Sequence, residues 1–79
     1  MHPELRNLGA REIERILIRA GFILDRQQGS HRQYLKPIED KILRVTVVAN
    51  RKSFNLSLLK SMIRQSGLTE EEWVELKNK

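Results

Sequence analysis

The spacing of apolar residues changes twice along this chain, from a helical period to a strand period and back. Apolar residues recur at i, i+3, i+4 and i+7 over residues 13–20, and they alternate with polar residues over residues 42–48. The helical period returns over residues 58–63. A segment patterned for a helix buries its apolar residues poorly as a strand, and the reverse also holds. Helices must therefore flank a small sheet in the sequence, which predicts an α+β fold.

The first helix is predicted from about Ala10 to Ala20. Charged residues, Glu14 among them, fill the side opposite its apolar stripe. Gly21 follows as a residue typical of a helix C-terminus. We therefore expect an amphipathic helix with Glu14 on its polar side.

Two further helices are predicted at Leu56 to Ser66 and at Glu70 to Lys77. Asn55 is the expected N-cap of the second helix, and Thr69 begins a capping-box pattern at the start of the third. The spacing of apolar residues in the third helix predicts that Trp73 faces inward.

Between the helices, three strand-like segments are separated by two turn-like ones. In chain order these are a strand at Phe22 to Gln27, a tight connection at Gln28-Gly29-Ser30, a strand at His31 to Leu35, a turn over residues 36–41 and a strand at Ile42 to Val48. In the second strand Tyr34 and Leu35 are both apolar and lie on opposite faces, so the face that His31 takes stays open.

The predicted element order is α-β-β-β-α-α. A three-stranded antiparallel sheet of this kind buries one face against helices and leaves the other in water, which gives a two-layer sandwich. Seventy-nine residues suffice for one core and are too few for two, so we expect one domain over residues 1–79.

The net charge of +5 is unevenly distributed. Residues 1–25 carry four arginines and four acids, residues 26–64 carry nine Lys/Arg and two acids, and residues 65–79 carry two lysines and four glutamates, which gives 0, +7 and −2. A basic segment attracts polyanions and favours nucleic acid as a partner. A solvated basic surface with no specific partner is the alternative interpretation.

Cysteine is absent, and one of the two histidines, His2, lies at the terminus. The sequence therefore predicts no disulfide, no metal site and no cofactor. No apolar run approaches the roughly 20 residues that span a bilayer. We expect a cytoplasmic protein with no membrane partner.

RNA cleavage is the chemistry that a single histidine in a basic segment fits best. RNA supplies its own nucleophile, the 2′-hydroxyl, and needs from the protein a proton acceptor or donor and cations on the phosphate. His31 is the candidate acid or base, and the turn residues Gly29 and Ser30 let backbone N–H groups approach a phosphate. The candidate cations are Arg26, Arg32, Arg44, Arg51 and Lys52. In the alternative, Gly29 serves only the turn and His31 is an ordinary strand residue.

The segment Ala20 to His31, which ends in Gly29-Ser30-His31, resembles the HicA family of toxin–antitoxin systems. The resemblance continues through Val45-Thr46-Val47 to the segment Lys60 to Leu68. It implies a fold similar to the double-stranded RNA-binding domain and ribosome-independent cleavage of mRNA, with His31 as the catalytic residue presented by Gly29 and Ser30. It also implies a HicB antitoxin that covers the active face.

The predicted protein is thus a toxin that acts as a metal-independent mRNA interferase, with mRNA and a HicB-like antitoxin as partners and no direct contact with DNA. A non-catalytic RNA-binding module of the same fold is the alternative. A basic domain that binds an acidic protein is a third interpretation.

Overall fold

The computed structural model describes residues 1–79, which form three helices and three strands. A 3-10 turn at Pro3–Leu5 comes first. The elements that follow are α1 (Ala10–Arg19), β1 (Ile23–Gln28), β2 (His31–Ile38), β3 (Lys41–Val48), α2 (Leu56–Ser66) and α3 (Glu70–Lys77). The predicted α+β class and element order are confirmed.

The strands form one antiparallel sheet in the order β1-β2-β3. In β2, His31 lies opposite Gln28 of β1 and opposite Val48 of β3. Tyr34 lies opposite Val45, so Tyr34 and Val45 share the other face.

One face of the sheet packs against the helices. On that face Tyr34, Val45 and Val47 are buried. They join a single apolar core whose other members are Leu5, Leu8, Ala10, Ile13, Ile16, Leu17, Phe22, Leu59, Met62, Ile63 and Trp73. The opposite face, called the open face below, presents side chains from all three strands, including Arg26 of β1, His31 and Gln33 of β2, and Arg44, Thr46 and Val48 of β3.

The second strand is longer than predicted. It continues through Pro37 to Ile38, where the sequence indicated a turn. Strand β1 ends its pairing at Ile23, opposite Leu35, so Pro37 has a partner strand on one side only. Because proline lacks an N–H, it is tolerated in a strand where one edge needs no hydrogen bond.

The helix ends confirm the predicted caps. The Asn55 side chain accepts a hydrogen bond from the Leu58 N–H at 2.8 Å, and Thr69 accepts one from the Glu72 N–H at 3.1 Å. Trp73 of α3 is fully buried and donates through Nε1 to Ser66 Oγ at 2.9 Å. The short third helix therefore belongs to the core.

None of the helices has the length and apolar character needed to cross a membrane.

Candidate functional site

His31 begins β2 directly after the hairpin turn, and its side chain lies on the exposed open face. Gly29 has φ +59°, which glycine adopts without strain, and no atom lies within 4 Å of where a Cβ would stand. The Ser30 carbonyl accepts a hydrogen bond from the Ala49 N–H at 2.6 Å, which ties the turn to the end of β3. The turn thus has a fixed base and an open outer surface beside His31.

A pocket of about 250 Å³ opens beside His31. The strand residues Thr46 and Val48 form its floor, and α2 with the segment before it forms its wall. This cavity is called the His31 pocket below. It is lined by His31, Thr46, Val48, Phe54, Leu58, Ser61, Met62 and Gln65. His31 is the one titratable group among them.

A chain of hydrogen bonds connects the turn to α1. Gln27 Nε2 donates to the Gly29 carbonyl at 2.9 Å, and Gln27 Oε1 accepts from Arg32 Nε at 3.1 Å. Arg32 Nη1 in turn donates to Glu14 Oε1 at 2.8 Å. The backbone that presents His31 is therefore braced by an ion pair to a neighbouring helix.

Glu14 lies in the interior, which corrects the prediction that it faces solvent. Its side chain is buried, and it accepts hydrogen bonds from Arg32 and from the Tyr34 hydroxyl. The hydrogen bond to Glu14, together with its negative charge, raises the pKa of Arg32 above the ordinary value. Burial and the hydrogen bond from its own hydroxyl to Glu14 raise the pKa of Tyr34 from 10.0 to about 12. A buried carboxylate is stable only with such partners.

Arg32 lies on the opposite face of the sheet from His31. Neighbouring residues of a strand point to opposite faces, so placing His31 on the open face places Arg32 on the helix side. Its guanidinium is occupied by Glu14 and Gln27. The structure therefore separates this predicted cation from the other candidates.

Two of the remaining cations lie on the open face. Arg44 donates to the side chain of Gln33, which is the next residue after His31 on that face of β2. Arg26 lies opposite Gln33 in β1, and its Nε is 3.3 Å from a carboxylate oxygen of Asp25. Both arginines therefore share the open face with His31 and lie beside Gln33, the next residue of β2 on that face.

Arg51 and Lys52 lie in the loop between β3 and α2, and both are exposed. The Arg51 guanidinium carbon is 5.2 Å from the centroid of the Phe54 ring, within the range of a cation–π contact. Because Phe54 lines the His31 pocket, this contact places Arg51 at the rim of that pocket.

Several pocket residues carry no signal in the sequence that marks them as functional. Leu58, Ser61, Met62 and Gln65 follow one helical stripe, which is typical of any packed helix. Thr46 is an ordinary outward-facing strand residue, and Phe54 precedes the helix N-cap. The packing of α2 along β3 brings them together. No group of three or more His, Cys, Asp or Glu side chains is placed to hold a metal ion.

The family model described as the HicA toxin of bacterial toxin–antitoxin systems matches residues 10–68. The chain belongs to the HicA toxin family. The match includes the turn, His31 and the whole pocket wall, and it ends before α3. Membership in this family implies an antitoxin as partner. No curated protein matches the sequence.

Proposed function

We propose that this HicA toxin is a metal-independent endoribonuclease that cleaves mRNA with His31 as general acid or base. The observation that carries the proposal is the position of His31 on a HicA chain, exposed beside a pocket and on the same face of the sheet as Arg26 and Arg44. Imidazole exchanges a proton near neutral pH, as the reaction requires.

The reaction breaks one P–O bond. The 2′-hydroxyl of one nucleotide loses its proton to a base and attacks the adjacent phosphorus, and the 5′-oxygen of the next nucleotide leaves and receives a proton. His31 serves one of these two proton transfers. Arg44, Arg26 and Arg51 stabilise the negative charge that grows on the phosphate oxygens, and Gly29 and Ser30 leave the backbone open to the phosphate.

The lining of the His31 pocket suits a nucleotide. Val48, Phe54, Leu58 and Met62 offer apolar surface for a base that leaves its stack, while Thr46, Ser61 and Gln65 offer hydrogen-bonding groups. A single-stranded segment of mRNA can place a base there and its phosphate beside His31. The order α-β-β-β-α supports a fold of the double-stranded RNA-binding type. We propose a cytoplasmic location because the proposed substrate, mRNA, is present there.

The test compares the two histidines. His31→Ala should lower the rate of RNA cleavage by roughly 10²- to 10⁴-fold, the range expected for loss of a general acid or base. His2→Ala is the matched control and should cleave like the wild type. Circular dichroism should show that both variants fold. Cleavage at the native rate by His31→Ala would refute the assignment.

A non-catalytic RNA-binding module is the second candidate. It is favoured by the fact that His31 has no titratable partner in its pocket, whereas two proton transfers are needed. A gel assay with labelled mRNA separates the two functions, because a retarded complex of intact RNA indicates binding alone.

We further propose that the partner is a HicB-like antitoxin that covers the open face. At the end of this face away from His31, Ile23 and Ile42 are 67% and 60% exposed, and they line a shallow apolar depression with Leu35 and Pro37. We place the antitoxin there because contiguous exposed apolar surface favours protein binding. Ile42→Glu should weaken the complex with the antitoxin and leave RNA cleavage by the free toxin unchanged. An Ile42→Glu toxin that the antitoxin binds as tightly as the wild type would contradict this placement.

A further inference from the structure

A second concave surface lies at the start of α1, outside the His31 pocket. It encloses about 560 Å³ and carries four cations and one acid. This surface is called the basic groove below. It is lined by Gly9, Ala10, Arg11, Glu12, Arg15, Asn50, Arg51 and Lys52. Arg11 and Arg15 belong to none of the features described so far.

The walls of the basic groove are held together by backbone contacts. The Ala10 N–H donates to the Arg51 carbonyl at 2.8 Å, so the loop after β3 rests on the first turn of α1. A Cβ at Gly9 would lie 2.8 Å from the Lys52 carbonyl oxygen, which is too close for any residue except glycine. The cations of the loop and those of α1 are therefore kept at a fixed separation.

The cations of this groove have no acidic partner within the protein. None of the ion pairs of the chain involves Arg11, Arg15, Arg51 or Lys52. Glu12, the one acid present, accepts a hydrogen bond from the Gly9 N–H at 3.1 Å and so caps its own helix. Four cations and one carboxylate give the groove a local charge of +3, which no ion pair within the protein neutralises.

The arrangement of Arg11 and Arg15 is unfavourable without a ligand. They are four residues apart on α1 and therefore lie on the same side of the helix. Like charges at this spacing destabilise a helix, and an anion between them removes the repulsion.

The basic groove adjoins the His31 pocket through Arg51. The Arg51 side chain packs on Phe54, which lines that pocket, while Arg51 itself lines the groove. A polyanion bound in the pocket can therefore extend into the groove, where the cations attract it. A flexible RNA backbone fits this continuous path better than an acidic protein segment, because its charges repeat at every nucleotide.

We propose that the basic groove binds the phosphates of single-stranded RNA flanking the nucleotide in the His31 pocket, with Arg11 and Arg15 as phosphate-binding residues. This inference rests on the proposed function for its substrate and extends the RNA site to a second surface. The groove binds backbone and so adds affinity without sequence preference.

The test measures the salt dependence of RNA binding. The probe is a short single-stranded RNA with 2′-O-methyl groups, which lacks the nucleophile and keeps its phosphates. Replacing Arg11 and Arg15 together by Gln should reduce the slope of log K against log salt by about 1.4, since each lost contact to a single strand accounts for about 0.7. Lys52→Gln, a change in the loop and not in α1, should reduce it by about 0.7.

The matched control replaces Lys60 and Arg64 by Gln. These residues form an exposed i, i+4 pair of cations on α2 and line neither the groove nor the His31 pocket. The control should keep the wild-type slope. An equal decrease in the control would show an effect of net charge alone and would overturn the groove, as would unchanged slopes in the groove variants.

Cleavage is scored separately with unmodified RNA. If the groove variants show the expected decreases in slope and the wild-type protein leaves unmodified RNA intact, the proposed catalysis is refuted and the groove is upheld. Wild-type protein that binds an acidic polypeptide and fails to bind the probe would overturn the groove as an RNA site.

Discussion

At the scale of single residues, the structure decides the question that the sequence left open, the face on which His31 lies. Alternation along β2 alone allowed either face, because Tyr34 and Leu35 are both apolar. Tyr34 is buried against Glu14, so His31 is exposed and Arg32 turns away from it. The buried partner of Tyr34 comes from another element, and no local pattern shows it.

Gln27 is expected to position the turn that presents His31. Gln27→Ala removes the hydrogen bonds to the Gly29 carbonyl and from Arg32, and the turn loses its brace. We expect kcat to fall about tenfold with little change in KM, because misplaced catalytic groups slow the chemical step more than they weaken binding.

The control for this variant is Gln28→Ala. Gln28 is the neighbouring residue and takes no part in the hydrogen-bond chain, so its loss should leave kcat close to the wild-type value. A Gln27→Ala enzyme with unchanged kcat would contradict a positioning role.

The hydroxyl group of Tyr34 should lose its proton at a higher pH than an ordinary tyrosine does. Its pKa is raised from 10.0 to about 12, so the folded state holds this proton more tightly than the unfolded state does. The resulting stabilisation is complete below pH 10 and is lost as the pH rises towards 12. The tyrosinate absorbance of the single tyrosine in the chain reports this directly.

The Tyr34→Phe variant provides the comparison. Between pH 10 and 12 its free energy of unfolding should fall less steeply than that of the wild type. A folded wild-type protein whose tyrosinate band appears with a midpoint near 10 would be inconsistent with the buried Glu14–Tyr34 contact.

At the scale of elements, the helices were easier to predict than the strands. The bounds of α2 and α3 match the prediction because Asn55 and Thr69 mark their N-termini by local hydrogen bonds. Strand β2 extends past Pro37 because only one neighbouring strand reaches that far, which is a property of the sheet. Glu14 was assigned to the polar side of α1, and its burial depends on contacts made by β2.

The cap of α3 should be measurable in stability. Thr69→Ala removes the hydrogen bond from the Glu72 N–H, and we expect the free energy of unfolding to fall by about 1 kcal/mol. Chemical denaturation measures the difference. Ser57→Ala, at an exposed position in the first turn of α2 where the side chain makes no hydrogen bond, should cause no such loss.

At the scale of the whole molecule, stability rests on one small core. Only 17 of the 79 residues are buried, and the core residues of the sheet and the helices form one cluster. The same compactness brings the basic residues of α1 and of the loop after β3 together. The net charge was evident from the sequence, but the grouping of four of its cations in the basic groove was not.

Unfolding should therefore be a single transition, as the expectation of one domain requires. Trp73 is the only tryptophan and lies in α3, so its fluorescence reports on the packing of the last helix. Far-ultraviolet circular dichroism reports on all helices and strands. We expect both signals to change at the same denaturant concentration. An earlier loss of the fluorescence signal would show that α3 separates from a core that persists without it.

The sequence by itself determined the fold class, the order of the elements, the helix caps and the turn before His31. These depend on periodicity and on hydrogen bonds between residues close in the chain. Only the tertiary structure decided which face carries His31, that Arg32 is bound to Glu14, and that α2 supplies a wall of the pocket. These features arise from contacts between residues far apart in the chain, and the spacing of residues along one segment does not specify them.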